Sequence, residues 1–167
     1  MDPVSSTQLP DHYDSISGLD EFHQYTGMLF DRHQIALMKD DREAALTMLQ
    51  ELESLMNAHI RDEEELLLPI YRKEIDPVPA GGGAEFYLRE HEQIRSFLKR
   101  FIGHQPGGPY EISIVHYFDM CTIYKDLTDH HHARERTFLY RLLDKKLNKE
   151  QKKQILKIFI KHQHYAD

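Results

Sequence analysis

The sequence has no tryptophan, a single cysteine, and no apolar run long enough to cross a bilayer. The last two each remove a class of protein. Cys121 alone cannot close an internal disulfide, so a reducing cytoplasm is the expected compartment. A membrane-spanning helix needs roughly 18–20 consecutive apolar residues, and without one no membrane role is expected. Residues Met1–Thr7 lack the basic-then-apolar pattern of a secretion signal. Basic charge is in deficit as well, with 21 Lys and Arg against 28 Asp and Glu and a formal net charge of −7. That balance speaks against holding nucleic acid through its phosphates. Strand signals are missing along the whole chain. What the chain has in excess is histidine, 12 in 167 residues, a length that fits one domain.

Apolar residues recur at steps of three and four in five stretches, which predicts helices. The first begins near Leu19 and puts Phe22, His23, Thr26, Phe30, His33 and Leu37 on one side. It closes at Lys39-Asp40-Asp41, where Asp41 is the expected N-cap of the second. The inner stripe of the second runs Ala45, Leu49, Leu52, Met56, His59, Glu63, Leu66, Ile70, with a kink or break expected at Pro69. After the loop Ile75–Gly83, a third helix buries Tyr87, His91, Ile94, Leu98 and Phe101 and runs to about Ile102. After Gly103–Pro109, a fourth carries Ile114, Phe118, Cys121, Tyr124, Thr128, His131, Glu135, Phe138 and Leu142. A basic amphipathic helix to about His162 completes the pattern. His12 and His104 fall outside the stripes and are expected on the surface.

Two of these stripes contain the same group, His59-x-x-x-Glu63 and His131-x-x-x-Glu135. On a helix, residues i and i+4 project from one face about a turn apart, so each pair offers an imidazole and a carboxylate to one place. A short motif carries little by itself, but both pairs lie on the apolar face, where a solvated charge pair would not. Among the consecutive histidines only His131 is on the stripe; His130 and His132 turn about 100° to either side. The height of His59 above the Asp40-Asp41 turn selects His23 as its neighbour across the first two helices. His33 lies roughly 15 Å nearer that turn and is expected in the core or at the helix end. His91 supplies the third helix. Its height is offset by about 13 Å from that of His131 if the third and fourth helices end flush, which a short third helix between two long loops would absorb.

With His23, His59, Glu63, His91, His131 and Glu135 in this order, the chain resembles the hemerythrin-like HHE cation-binding family. The likeness extends to the run His59 through Pro69 and to Glu90-His91, and it covers roughly residues 19–143. Four long helices joined by short or medium loops predict an all-α fold, an up-down-up-down four-helix bundle with an additional C-terminal helix, and the resemblance implies the same four-helix bundle. The divisions are a tail at 1–17, the bundle at 18–145, and a helix packed on it at 146–167. It also implies two iron ions in a non-haem di-iron centre, with the four histidines as terminal ligands and Glu63 and Glu135 as bridges. Oxygen-carrying hemerythrins have His-x-x-x-His on the third helix; here the second position is Arg95, so a fifth histidine is missing. They also space the last pair one residue wider, a spacing that His130 and Glu135 would mimic.

Three functions follow as expectations. The first is a di-iron protein binding oxygen or a related diatomic ligand or peroxide, for sensing, storage or detoxification. The second is an oxidoreductase turning over peroxide or oxygen at the same centre. The third is a metal-free interaction module whose basic last helix docks a protein partner or a second copy. Tyr87, Tyr124 and Cys121 are read as core packing, and Asp62–Glu65, apart from Glu63, as a solvated face.

Overall fold

A computed structural model describes residues 8–106 and 108–165, all-helical with no strand among them. A 3-10 turn (Ile16–Leu19) leads into α1 (Asp20–Met38). α2 (Arg42–Asp62) continues through a π-helical turn (Glu63–Leu67) into α3 (Leu68–Glu74), and α4 spans Ala84–His104. α5 (Ile114–Arg134) continues through a second π-helical turn (Glu135–Tyr140) into α6 (Arg141–Lys146), followed by α7 (Lys149–His164). None of the described helices is long and apolar enough to cross a membrane.

The helix starts follow local chemistry. Asp40, at φ 56°, reverses the chain in the left-handed region that aspartate tolerates, and the Asp41 carboxylate then accepts the Ala44 N–H at 3.1 Å. Asn148 and Gln151 form a reciprocal capping box at the head of α7. α1 packs along α2, α2 against α4, α4 against α5, and α7 lies on α2. Leu49, Leu52, Ile94, Leu98 and Phe101 fill the interior between them.

The course of the buried stripes departs from the sequence reading. The stripe on the second helix was expected to run through Leu66 and Ile70, and that on the fourth through Phe138 and Leu142. The buried residues are Leu67, Leu68 and Tyr71, then Leu139, Tyr140 and Leu143. A π turn spaces its hydrogen bond over five residues, so it inserts one residue and rotates everything after it by roughly 100°. Pro69 accounts for the first: lacking an N–H, it cannot bond the carbonyl four residues back, and the Leu68 N–H reaches Glu63 O instead. The helix continues through Pro69 without the expected break. No proline accounts for the second turn. Ile114, placed on the inner stripe, is 45% exposed at the N-terminus of α5.

The expected tail falls partly on residues 1–7, and the last division ends at residues 166 and 167, all outside the described residues; Gly107 of the second loop is outside them too. From Leu9 the segment is tied down. The Tyr13 hydroxyl donates to Gln163 Oε1 at 2.9 Å, and the Ile16 and Ser17 N–H groups donate to Asp144 at 2.8 and 2.9 Å.

His33 is a core histidine, as the height comparison expected. Its Nδ1–H donates to Ala45 O at 2.8 Å, and its Nε2 accepts from the Tyr117 hydroxyl at 2.8 Å. Burial pushes its pKa down, so the native state refuses a proton that the unfolded chain accepts below about 6.5. Stability from this site is complete above that value and is lost as the pH falls, by at most about 1.4 kcal/mol per pH unit. His33→Gln is expected to lower stability at neutral pH yet flatten the acid limb of a stability–pH profile measured by denaturant unfolding. An acid limb as steep as the parent's would refute this assignment.

Candidate metal centre

The six residues singled out by the sequence meet in the interior. α1 delivers His23, the last turn of α2 delivers His59, α4 delivers His91, and the last turn of α5 delivers His131. Glu63 and Glu135 each open a π turn, the place where a helix most readily re-aims its side chains around a site. Glu63, His91 and Glu135 have no exposed surface, and His131, His59 and His23 almost none.

The arrangement has two lobes joined by the two carboxylates. In one lobe His59 Nε2 lies 3.3 Å from Glu63 Oε1 and His23 Nε2 lies 3.4 Å from Glu135 Oε2, the two nitrogens being 3.2 Å apart. In the other, His91 Nε2 lies 3.2 Å from Glu63 Oε2 and His131 Nε2 lies 2.8 Å from Glu135 Oε1. Each glutamate therefore turns one oxygen to each pair of histidines.

These donors suit a cation better than they suit one another. Glu63 Oε2, both oxygens of Glu135 and His91 Nε2 are buried and form no hydrogen bond of normal geometry, despite the close approaches. Leaving such atoms unsatisfied is costly, and a bound cation is a common remedy. Glu63, His91, His131 and Glu135 offer ligand atoms all within 4.8 Å of one another, and so do His23, His59 and Glu63. Imidazole and carboxylate together suit iron and its neighbours in the transition series.

An outer ring of carboxylates holds the imidazoles in place. His91 Nδ1 donates to Glu64 Oε1 at 3.0 Å, and Arg95 grips Glu64 with two bonds of 2.9 and 3.0 Å. His131 Nδ1 donates to Glu90 Oε2 at 3.0 Å, and Arg134 Nε donates to Glu90 Oε1 at 3.1 Å. A looser version joins Arg136, Asp20 and His23, with the His23 Nδ1 to Asp20 distance at 3.5 Å. Such partners fix the ring orientation and aim Nε2 inward. Arg95, the departure from the hemerythrin pattern, anchors Glu64. Glu64 was expected on a solvated face, as was Asp62, which is buried and pairs with His162 at 2.7 Å. Only contacts with helices far along the chain reveal these roles.

The charges respond accordingly. Burial pushes Glu63 and Glu135 up, but the imidazoles around them reverse this and hold Glu63 well below the usual carboxylate range and Glu135 below it too. Burial pushes His91 down, and the carboxylates of Glu135, Glu63 and Glu64 outweigh it and raise it to about 11. His131 is raised to about 9 by Glu135 and Glu90 against the same burial. Without a cation, protons on these imidazoles balance the carboxylates; an incoming cation takes their place.

Two residues at the centre escaped the sequence reading. The π turn carries Tyr140 inward, where its hydroxyl donates to Glu63 Oε1 and lies 3.3 Å from His23 Nε2 and 3.4 Å from His59 Nε2. Burial first, then Glu135 and Glu63, push its pKa well up, so the phenol keeps its proton. His132, expected to turn away, stacks on His23 with ring centres 3.8 Å apart and 4° between planes. Its Nε2 is buried without a partner. A pattern of three- and four-residue steps has no means of placing either one. His130 stays outside, 3.3 Å from Arg134 Nη2, and His12 is exposed. His104, expected at the surface, is half-buried, its Nδ1 donating to Tyr110 O at 2.6 Å. α7 also takes part: Phe159 packs edge-on to His59 while Phe22 stacks on its other side at 4.2 Å. Cys121 is buried, and burial pushes its thiol up to about 12, in keeping with a packing role.

Compared with known proteins, the chain matches no family model, no curated protein and no solved structure.

Proposed function

We propose that the chain is a hemerythrin-like non-haem di-iron protein, an up-down-up-down four-helix bundle carrying an extra C-terminal helix. It binds oxygen or a related small molecule such as nitric oxide or peroxide, for sensing, storage or detoxification. One observation carries this reading: two buried carboxylates each divide their oxygens between two pairs of inward histidines. A single ion has no use for that division, whereas two ions side by side need it. His23 and His59 would hold one iron and His91 and His131 the other, with Glu63 and Glu135 shared. Iron at such a site supplies reversible one-electron chemistry and an open position for a small ligand. The chain's own part is to fix the imidazoles through Asp20, Glu64 and Glu90, and to hold a phenolic proton at Tyr140.

That proton supports a second reading, an oxidoreductase acting on peroxide or oxygen, because Tyr140 is a donor already placed inside the centre. With a reductant present, repeated consumption of peroxide or oxygen identifies the oxidoreductase, and a stable adduct without turnover identifies the binding protein.

Metal analysis of protein from iron-replete cells tests both. Two irons per chain are expected, with a near-ultraviolet absorption band lost in His59→Ala and kept in His33→Ala. Iron well below one per chain would leave only the metal-free interaction module, and loss of the band in His33→Ala would overturn the choice of His23.

A further inference from the structure

The six donors are shut in by the helices, yet one cleft reaches His23 among them. Between α1 and α5 lies a cavity of ≈ 260 Å³ bounded by His23 and His132 within, by Gly27 and Thr128, and by the exposed Asp31 and Asp129. Four other surface cavities touch none of the six donors. Ion pairs join the two helical stretches on either side, Lys125 to Asp31 at 2.6 Å and Arg136 to Asp20 at 2.9 Å.

Resting on the reading of the centre as a metal site, we propose that this cleft is the loading passage for hydrated divalent cations. Asp129 and His132 act in it as transfer ligands, receiving a cation before His23 and Glu135 do. Three observations point the same way. Lys125 in the lining is paired with Asp31, which leaves the Asp129 carboxylate as the net charge of the lining, so the passage favours cations over anions. A divalent cation with about six waters, at about 30 Å³ each, occupies roughly 180 Å³, which the cavity accommodates and a diatomic ligand does not require. His132 Nε2 is buried and unpartnered, and a ring nitrogen of His132 lies with ligand atoms of His23 and Glu135 in a set within 4.8 Å of one another. Its lone pair has no task in the packed protein, and a cation in transit supplies one. Waters lost by the ion are replaced by Asp129 oxygen, then His132 nitrogen, then the centre.

Gly27 adds a structural reason. Glycine weakens a helix interior relative to alanine, and a Cβ built at Gly27 meets nothing within 4 Å. No packing constraint therefore accounts for the missing side chain, and open space beside the cleft is what it provides.

The test uses the full chain freed of metal by a chelator, with Co²⁺ as the probe and its visible absorption as the readout. Gly27→Leu, which puts a bulky side chain on the passage wall, is expected to reach the parent's final Co²⁺ content while taking it up more slowly by an order of magnitude. Gly27→Ala, which fits, is expected to load at the parent rate. Asp129→Asn is expected to slow uptake several-fold at low salt and less at high salt. Parent-like rates in both Gly27→Leu and Asp129→Asn, at full final content, would overturn the passage. Should Gly27→Leu not fold, the surface variant Asp129→Asn decides alone. Failure of the parent itself to take up Co²⁺ would instead overturn the metal centre.

Discussion

Binding of iron at a thousandfold excess over its dissociation constant should raise the thermal midpoint by about 8–16 °C per ion. An ion that binds only the native state stabilises it by about 4.1 kcal/mol at that excess. In a chain of this length each kcal/mol moves the midpoint by roughly 2–4 °C. An affinity high enough to reach that excess is expected because the native state without metal is frustrated at its centre. Glu63 and Glu135 are buried with oxygens that lack hydrogen-bond partners, and the imidazoles beside them must carry protons to balance the charge. A scanning calorimeter with and without ferrous ion, under nitrogen, gives the answer. The same midpoint in both would mean that the cluster is satisfied as it stands and that the di-iron reading is wrong.

How much of this was legible in the sequence follows from what each signal depends on. Asp41 and the apolar stripes act within a turn or two of chain, and the helices start close to where they indicate. The inward direction of His59, Glu63, His91, His131 and Glu135 was legible for the same reason. The antiparallel height comparison then brought His23, and not His33, into the cluster. The π turns were not legible. They shift the buried face from Leu66 to Leu67 and from Phe138 to Leu139, a change of one residue that a three- and four-residue repeat cannot register. Tyr140 reaches the centre only because of that shift. His132 was set aside on an ideal helix angle, yet a flat ring about 100° off the stripe still reaches a neighbour that stacks on it. The Arg95–Glu64–His91 and Arg134–Glu90–His131 chains cross between helices far apart in sequence, so nothing local marks them.

Those chains separate two kinds of glutamate, and substituting one of each should separate them in the laboratory. Glu135→Gln keeps the shape of the side chain and removes the charge that His131 and His23 face. Breaking a buried pair of this kind costs about 3–5 kcal/mol, because the remaining partner stays buried without compensation. The metal-free protein should therefore lose roughly 6–20 °C in thermal midpoint, and metal content should fall below two ions per chain, since Glu135 faces both lobes. Glu90→Gln leaves both lobes their ligand atoms and disturbs the orientation of His131 through Nδ1, together with the hold on Arg134. Here the expected result is full metal content at saturation with affinity lowered about 10–100-fold, since an outer partner tunes a ligand without replacing it. Titration with Co²⁺ gives content and affinity together. A Glu135→Gln protein that still takes up two ions with parent affinity would show that its carboxylate is not shared between them, and the two-lobed centre would fall with it.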